Sequence, residues 1–194
     1  MSELRFDPVR GSWVIIASER SRRPSDFKSP PYQGKGEINC PFCPGNEKGT
    51  PPEVFAFRAR GSRPDTPGWQ VRVIPNKFAA LAPEDGTITV SNSLFQTRQG
   101  SGVHEVVIEG PAHNTFFPDL QPDHAFLVLQ SWRQRYLQLQ HDDRLQYIQH
   151  FKNYGRAAGA SLEHPHSQLI ATPVLPPAVK HLINQAKNYW QAKN

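Results

Sequence analysis

The sequence predicts an α+β domain, because a 194-residue chain carries several strand-like patterns together with two helix-like ones. Three observations carry that expectation. Residues 69–75 (W-Q-V-R-V-I-P) and 102–110 (G-V-H-E-V-V-I-E-G) read as strands with covered faces. Residues 123–140 repeat large side chains at helical spacing behind Pro122, which suits a helix start. Nineteen prolines and thirteen glycines imply many loops around a compact centre.

Taken in order, residues 12–18 (S-W-V-I-I-A-S) form the first expected strand. A basic turn follows at 19–24, read on charge alone as a solvated loop; the sharper alternative has Arg20 or Arg23 reaching a phosphate. A Pro/Gly/Ser-rich loop at 24–37 leads to a knuckle, C-P-F-C-P-G, at 40–45. A short strand is expected around 54–58, then the strand at 69–75, with Asn76 just past its end. That asparagine suits a turn, and it also lies where sheet proteins place ligand contacts. In the helix at 123–140, Phe126, Leu129, Trp132, Arg133, Tyr136 and Leu139 form one stripe, expected to be core. Residues 145–154 read as a strand. A second amphipathic helix begins near Pro176, with Val179, Leu182, Ile183, Ala186, Tyr189 and Trp190 on its stripe.

Composition narrows the function classes. The excess of 22 Lys and Arg over 17 Asp and Glu gives +5, a mild basic bias that suits an anionic ligand. There is no Lys/Arg run of the kind that marks nucleic-acid binding, so no nucleic-acid partner is expected. No stretch approaches membrane-spanning length and the start lacks an apolar signal core, so no membrane partner and a cytoplasmic address are expected. The two cysteines, Cys40 and Cys43, share one C-x-x-C, too few for a secreted disulfide framework. Pro44-Gly45 opposes a helix starting there, which favours a metal half-site over a redox pair. Two thiolates leave two tetrahedral positions for which histidine is the usual donor. Spacing alone leaves His104 and His113 both open for that role.

The densest chemistry lies in G-A-S-L-E-H-P-H-S-Q-L-I-A-T-P, residues 159–173. On an extended chain His164, His166 and Gln168 project to one face. Two imidazoles and an amide there are suited to holding an anion or metal and to supplying a nucleophile. The small residues ahead of them leave backbone N–H groups close to a bound phosphate.

These motifs, with D-P-V-R-G-S-W-V-I-I-A-S-E-R-S-R-R-P, V-R-V-I-P-N-K-F, H-E-V-V-I-E-G-P-A-H-N and F-K-N-Y-G-R-A-A-G-A-S-L-E-H-P-H-S-Q, occur in matching order over residues 4–177. Together they resemble the galactose-1-phosphate uridylyltransferase family, a branch of the histidine-triad superfamily. The resemblance implies an antiparallel sheet flanked by helices, one half of a two-half transferase. It divides the chain into a nucleotidyltransferase domain at 1–177 and a connector helix at 178–194 leading to a second half. It implies His166 as nucleophile with Gln168 assisting, zinc on Cys40, Cys43, His113 and His164, and phosphate-side Arg20 and Arg23. Asn76 would lie on the nucleoside side, and Asn153, Ser161 and Gln168 around the α-phosphate. The implied reaction moves UMP between a UDP-hexose and a hexose-1-phosphate, in a full-length homodimer. Lys77 departs from the best-known uridylyltransferases, which keeps an adenylyl-transferring sugar phosphorylase as the alternative. A zinc-stabilised nucleotide-binding module without catalysis is a further one.

Overall fold

The computed structural model describes residues 2–7, 12–18, 40–83, 88–90, 96–155, 158–160 and 162–193. In chain order the elements are β1 (Glu3–Asp7), β2 (Ser12–Ile16), β3 (Phe55–Arg58), β4 (Trp69–Pro75), β5 (Ile88–Val90), β6 (Gln96–Gln99), β7 (Val103–Ile108), α1 (Pro122–Leu139), β8 (Tyr147–Phe151), β9 (His166–Thr172) and α2 (Pro177–Lys193). The mixture is α+β, as the sequence predicts. The predicted loop at 24–37 lies outside the described residues.

Five strands form an antiparallel sheet in the order β3-β4-β7-β9-β8. The alternation of side chains along each strand gives this sheet two different faces. One face is apolar. Val71 and Val73 of β4, Val107 of β7 and Val128 of α1 are fully buried in a single cluster. Each such burial is worth about 1.5–3 kcal/mol relative to exposure. Leu169 and Ala171 of β9 continue that face under Leu139 of α1. The opposite face carries His104, His166 and Gln168. Gly102 lets β7 and β9 meet: a Cβ there would lie 2.3 Å from the Ala171 carbonyl oxygen.

Three strands and one sheet were not expected. β1, β5 and β6 join β2 in a four-stranded antiparallel sheet, ordered β2-β1-β6-β5. β6 reads Q-T-R-Q and β5 has three residues, so neither shows an apolar period of its own. β6 is held by pairing with β1, whose Leu4 is buried, and β5 by pairing with β6.

Both helices occur where expected, but of the expected α1 stripe only Leu139 and Trp132 join the core. On α1 the buried positions are Val128, Ser131, Arg135 and Leu139, while Phe126, Leu129 and Tyr136 are exposed. The sheet selects this rotation through a polar partner. Arg135 Nε donates to Glu105 Oε2 of β7 at 2.8 Å, and Ser131 Oγ returns to the Val128 carbonyl. A buried carboxylate demands its cation more strictly than a surface demands the removal of a phenyl ring. On α2, Leu182 and Trp190 are 67 and 70 % exposed.

Candidate active site and metal centre

The knuckle is built by its own sequence. Cys43 N–H donates to the Cys40 carbonyl and Asn46 N–H to that of Cys43, a tight reversal completed by Gly45 at φ +94°. Buried Glu47 then ties this loop to the sheet. Its Oε2 accepts from Gly45 N–H and its Oε1 from the Trp69 indole N–H of β4, each at 2.9 Å. The loop thereby sits over the face of the five-stranded sheet opposite α1, where it packs on Trp69, Ile74, Val106 and Ile108.

Cys40, Cys43, His113 and His164 converge there, all buried, with ligand atoms within 4.8 Å of one another. Cys43 Sγ lies 3.2 Å from His113 Nδ1 and 3.5 Å from His164 Nδ1. His164 donates from Nε2 to the Gly110 carbonyl at 2.7 Å, which turns its deprotonated Nδ1 to the sulfur. Burial pushes the His164 imidazole down to about 4, with His113 and His166 nearby adding to the effect. It is therefore neutral at pH 7, the form a metal requires. The donor set fits a tetrahedral metal. His104 is not part of it.

His166 opens β9 two residues on, opposite Ile108 of β7. It is 8 % exposed and stands edge-on to Phe42 of the knuckle, with ring centres 5.4 Å apart. It contributes no atom to the metal cluster. Its Nδ1 donates to the main-chain carbonyl of His164 at 2.8 Å, so in the neutral ring the proton is on Nδ1 and the lone pair on Nε2. From the helix side, the Trp132 indole N–H donates to Ser167 Oγ at 3.0 Å and steadies the strand between the two site residues.

Gln168 follows on the same face and is buried. Its Oε1 lies 2.9 Å from His104 Nε2 and 3.3 Å from Asn76 Nδ2. Asn153 lies two residues past Phe151, the last residue of β8, which pairs with Gln168. Arg20, Arg23 and Ser161 fall outside the described residues.

A family model described as galactose-1-phosphate uridyl transferase, N-terminal domain, matches residues 1–176. The chain belongs to this family. It is 39 % identical over 201 residues to ADP-glucose phosphorylase of Arabidopsis thaliana, covering 97 % of this chain and 54 % of that protein. It is 26 % identical over 194 residues to galactose-1-phosphate uridylyltransferase of Thermotoga maritima, covering 100 and 54 %. The crystal structure of the Arabidopsis thaliana phosphorylase with bound ADP-glucose superposes with a TM-score of 0.64 at 36 % identity, covering 99 % of this chain and 55 % of that one. A solved uridylyltransferase gives 0.69 at 27 %, covering 99 and 52 %. The chain spans about half the length of the curated relatives it matches.

Sequence reasoning passed over three residues that shape this site. Glu47 stands inside the knuckle motif, but its indole partner is 22 positions away. Trp132 reads as core by spacing, and only its N–H distinguishes it. His104 was weighed solely as a metal ligand, since a sequence does not show which histidine faces which partner.

Proposed function

We propose that this chain carries the nucleotidyl-transfer site of a sugar-nucleotide transferase, with His166 as nucleophile. The observation that carries the reading is the His166 Nδ1–H donated to a main-chain carbonyl, which leaves the lone pair on Nε2. That lone pair forms a bond to the α-phosphorus of a nucleoside-diphosphate sugar. The bond from this phosphorus to the bridging oxygen breaks, and sugar-1-phosphate leaves with the electron pair. A second sugar-1-phosphate then attacks the same phosphorus, and the P–N electrons return to Nε2. No net proton is needed. Gln168 stabilises the phosphoryl oxygens as a hydrogen-bond donor; an amide releases no proton at neutral pH, which favours transfer to a phosphate acceptor over hydrolysis. Asn76 and Asn153 serve the nucleotide, together with Arg20, Arg23 and Ser161.

Zinc suits Cys40, Cys43, His113 and His164, where it would supply structural rigidity and pin the start of β9. The division at 177/178 is proposed on two supports: the family match ends at residue 176, and Leu182 and Ile183 of α2 are exposed. In the whole protein that helix would connect to a second half and a homodimer would form.

The transferred group is proposed as UMP, between UDP-hexose and hexose-1-phosphate. A second reading, AMP transfer by a sugar phosphorylase, is favoured by the 39 % identity to ADP-glucose phosphorylase. Incubation with UDP-glucose or ADP-glucose in parallel, followed by intact-mass analysis, tests both. An acid-labile nucleotidyl adduct on His166 is expected, and its mass gives the base. Absence of an adduct with either sugar nucleotide leaves a nucleotide-binding module as the outcome.

A further inference from the structure

We propose that His104 is a positioning residue that fixes which end of the Gln168 carboxamide faces the reacting phosphate. The inference rests on the nucleotidyl-transfer reading above.

The wiring starts at two backbone amides, which can only donate. Phe78 N–H donates to Asn76 Oδ1 at 2.9 Å, so Asn76 turns its Nδ2 amino group the other way. Ala80 N–H donates to His104 Nδ1 at 3.0 Å, so that nitrogen carries no proton. In the neutral ring the proton then sits on Nε2. Both side chains therefore present N–H groups, and both meet Gln168 Oε1, at 2.9 Å from His104 and 3.3 Å from Asn76. Asn76 Nδ2 and His104 Nε2 are themselves 3.2 Å apart, two donors gathered round one oxygen. The opposite arrangement, with Nε2 accepting from Asn76, would put an Nδ1–H against the Ala80 N–H. Phe151 of β8 lies alongside the imidazole at 6.5 Å and confines it.

An isolated glutamine can present either its oxygen or its amino group. Here the oxygen is claimed twice, and the planar amide turns both Nε2–H donors away from His104 and Asn76. A phosphoryl group meeting Gln168 therefore encounters donors, where a flipped amide would set oxygen against oxygen. Two main-chain N–H groups of the 76–80 turn thus determine the polarity of a side chain on another strand.

Long-range ¹⁵N–¹H spectra test the wiring without any need for activity, with the His104 signals assigned by their loss in His104→Phe. The Nε2–H tautomer is expected, and its resonance should move in Gln168→Ala; an Nδ1–H tautomer overturns the proposal. For the consequence, the rate of adduct formation on His166 is compared among variants that retain wild-type metal content and melting temperature. His104→Phe should slow it about tenfold or more at saturating sugar nucleotide, with the half-saturating concentration little changed. His104→Gln, which carries an amide N–H to the same place, should stay within about threefold of wild type. On a Gln168→Ala background, His104→Phe should add no further loss; an undiminished second loss shows that His104 acts elsewhere. A wild-type chain that forms no adduct defeats the transfer reading instead, while the tautomer still decides the orientation.

Discussion

The two faces of β9 differ in what holds them. On the helix face, Ser167, Leu169 and Ala171 meet α1 through apolar packing and one indole-to-hydroxyl bond. On the other face His166 and Gln168 are also buried, yet their polar atoms are fixed by hydrogen bonds to main chain or to groups keyed by main chain. Packing fixes where a side chain sits, whereas backbone donors and acceptors fix which atom carries the proton. A site that must hold an imidazole in one tautomer needs the second kind of order, and here it is built on a strand whose other face provides the first.

Substitutions that separate the two kinds of order test this contrast. The largest effect is expected from His166→Gly, which should abolish the nucleotidyl adduct while the melting temperature stays close to wild type, as seen by intact mass and calorimetry. Cys40→Ser should cost more than about 4 kcal/mol in urea unfolding and reduce bound metal by elemental analysis, the range reached when a structural metal is lost. Leu169→Ala, on the packed face, should cost about 3 kcal/mol with the His166 tautomer unchanged by NMR. A change of tautomer there would show that the two faces are not separable.

The smallest expected effect is on pH. The His164 imidazole is held at about 4 against an ordinary 6.5 by burial, and burial lowers His150 as well. In the unfolded chain these rings take up protons below about pH 6.5 that the folded chain refuses, so acid favours unfolding. Stability should be flat above pH 6.5 and fall between 6.5 and 4. In the metal-free chain His164 alone accounts for about 2 kcal/mol by pH 5, measured as the shift of the urea midpoint.

Much of the fold was legible where the chain's own pattern is strong. β4 was readable to the residue, and α1 to within one residue at each end. The face of α1 was not, because it is chosen by Glu105, 30 positions from Arg135. The sheet containing β1, β5 and β6 was missed for a similar reason: its strands are defined by neighbours. The Cys40, Cys43, His113 and His164 set followed from a family likeness, and the structure brings those four together. What no pattern shows is the protonation wiring. That His104 serves Gln168 depends on the Ala80 amide, which is invisible in a side-chain alphabet.

His164 acts through two chemically independent parts. Its ring belongs to the sulfur-rich cluster, while its carbonyl orients the neighbouring His166 imidazole. The carbonyl is present whatever amino acid occupies the position. A lineage could therefore exchange or abandon the metal and still inherit a correctly protonated residue 166, provided some other contact held the strand's path. Metal binding and the protonation of residue 166 are then separate traits in this architecture, free to be gained or lost one at a time.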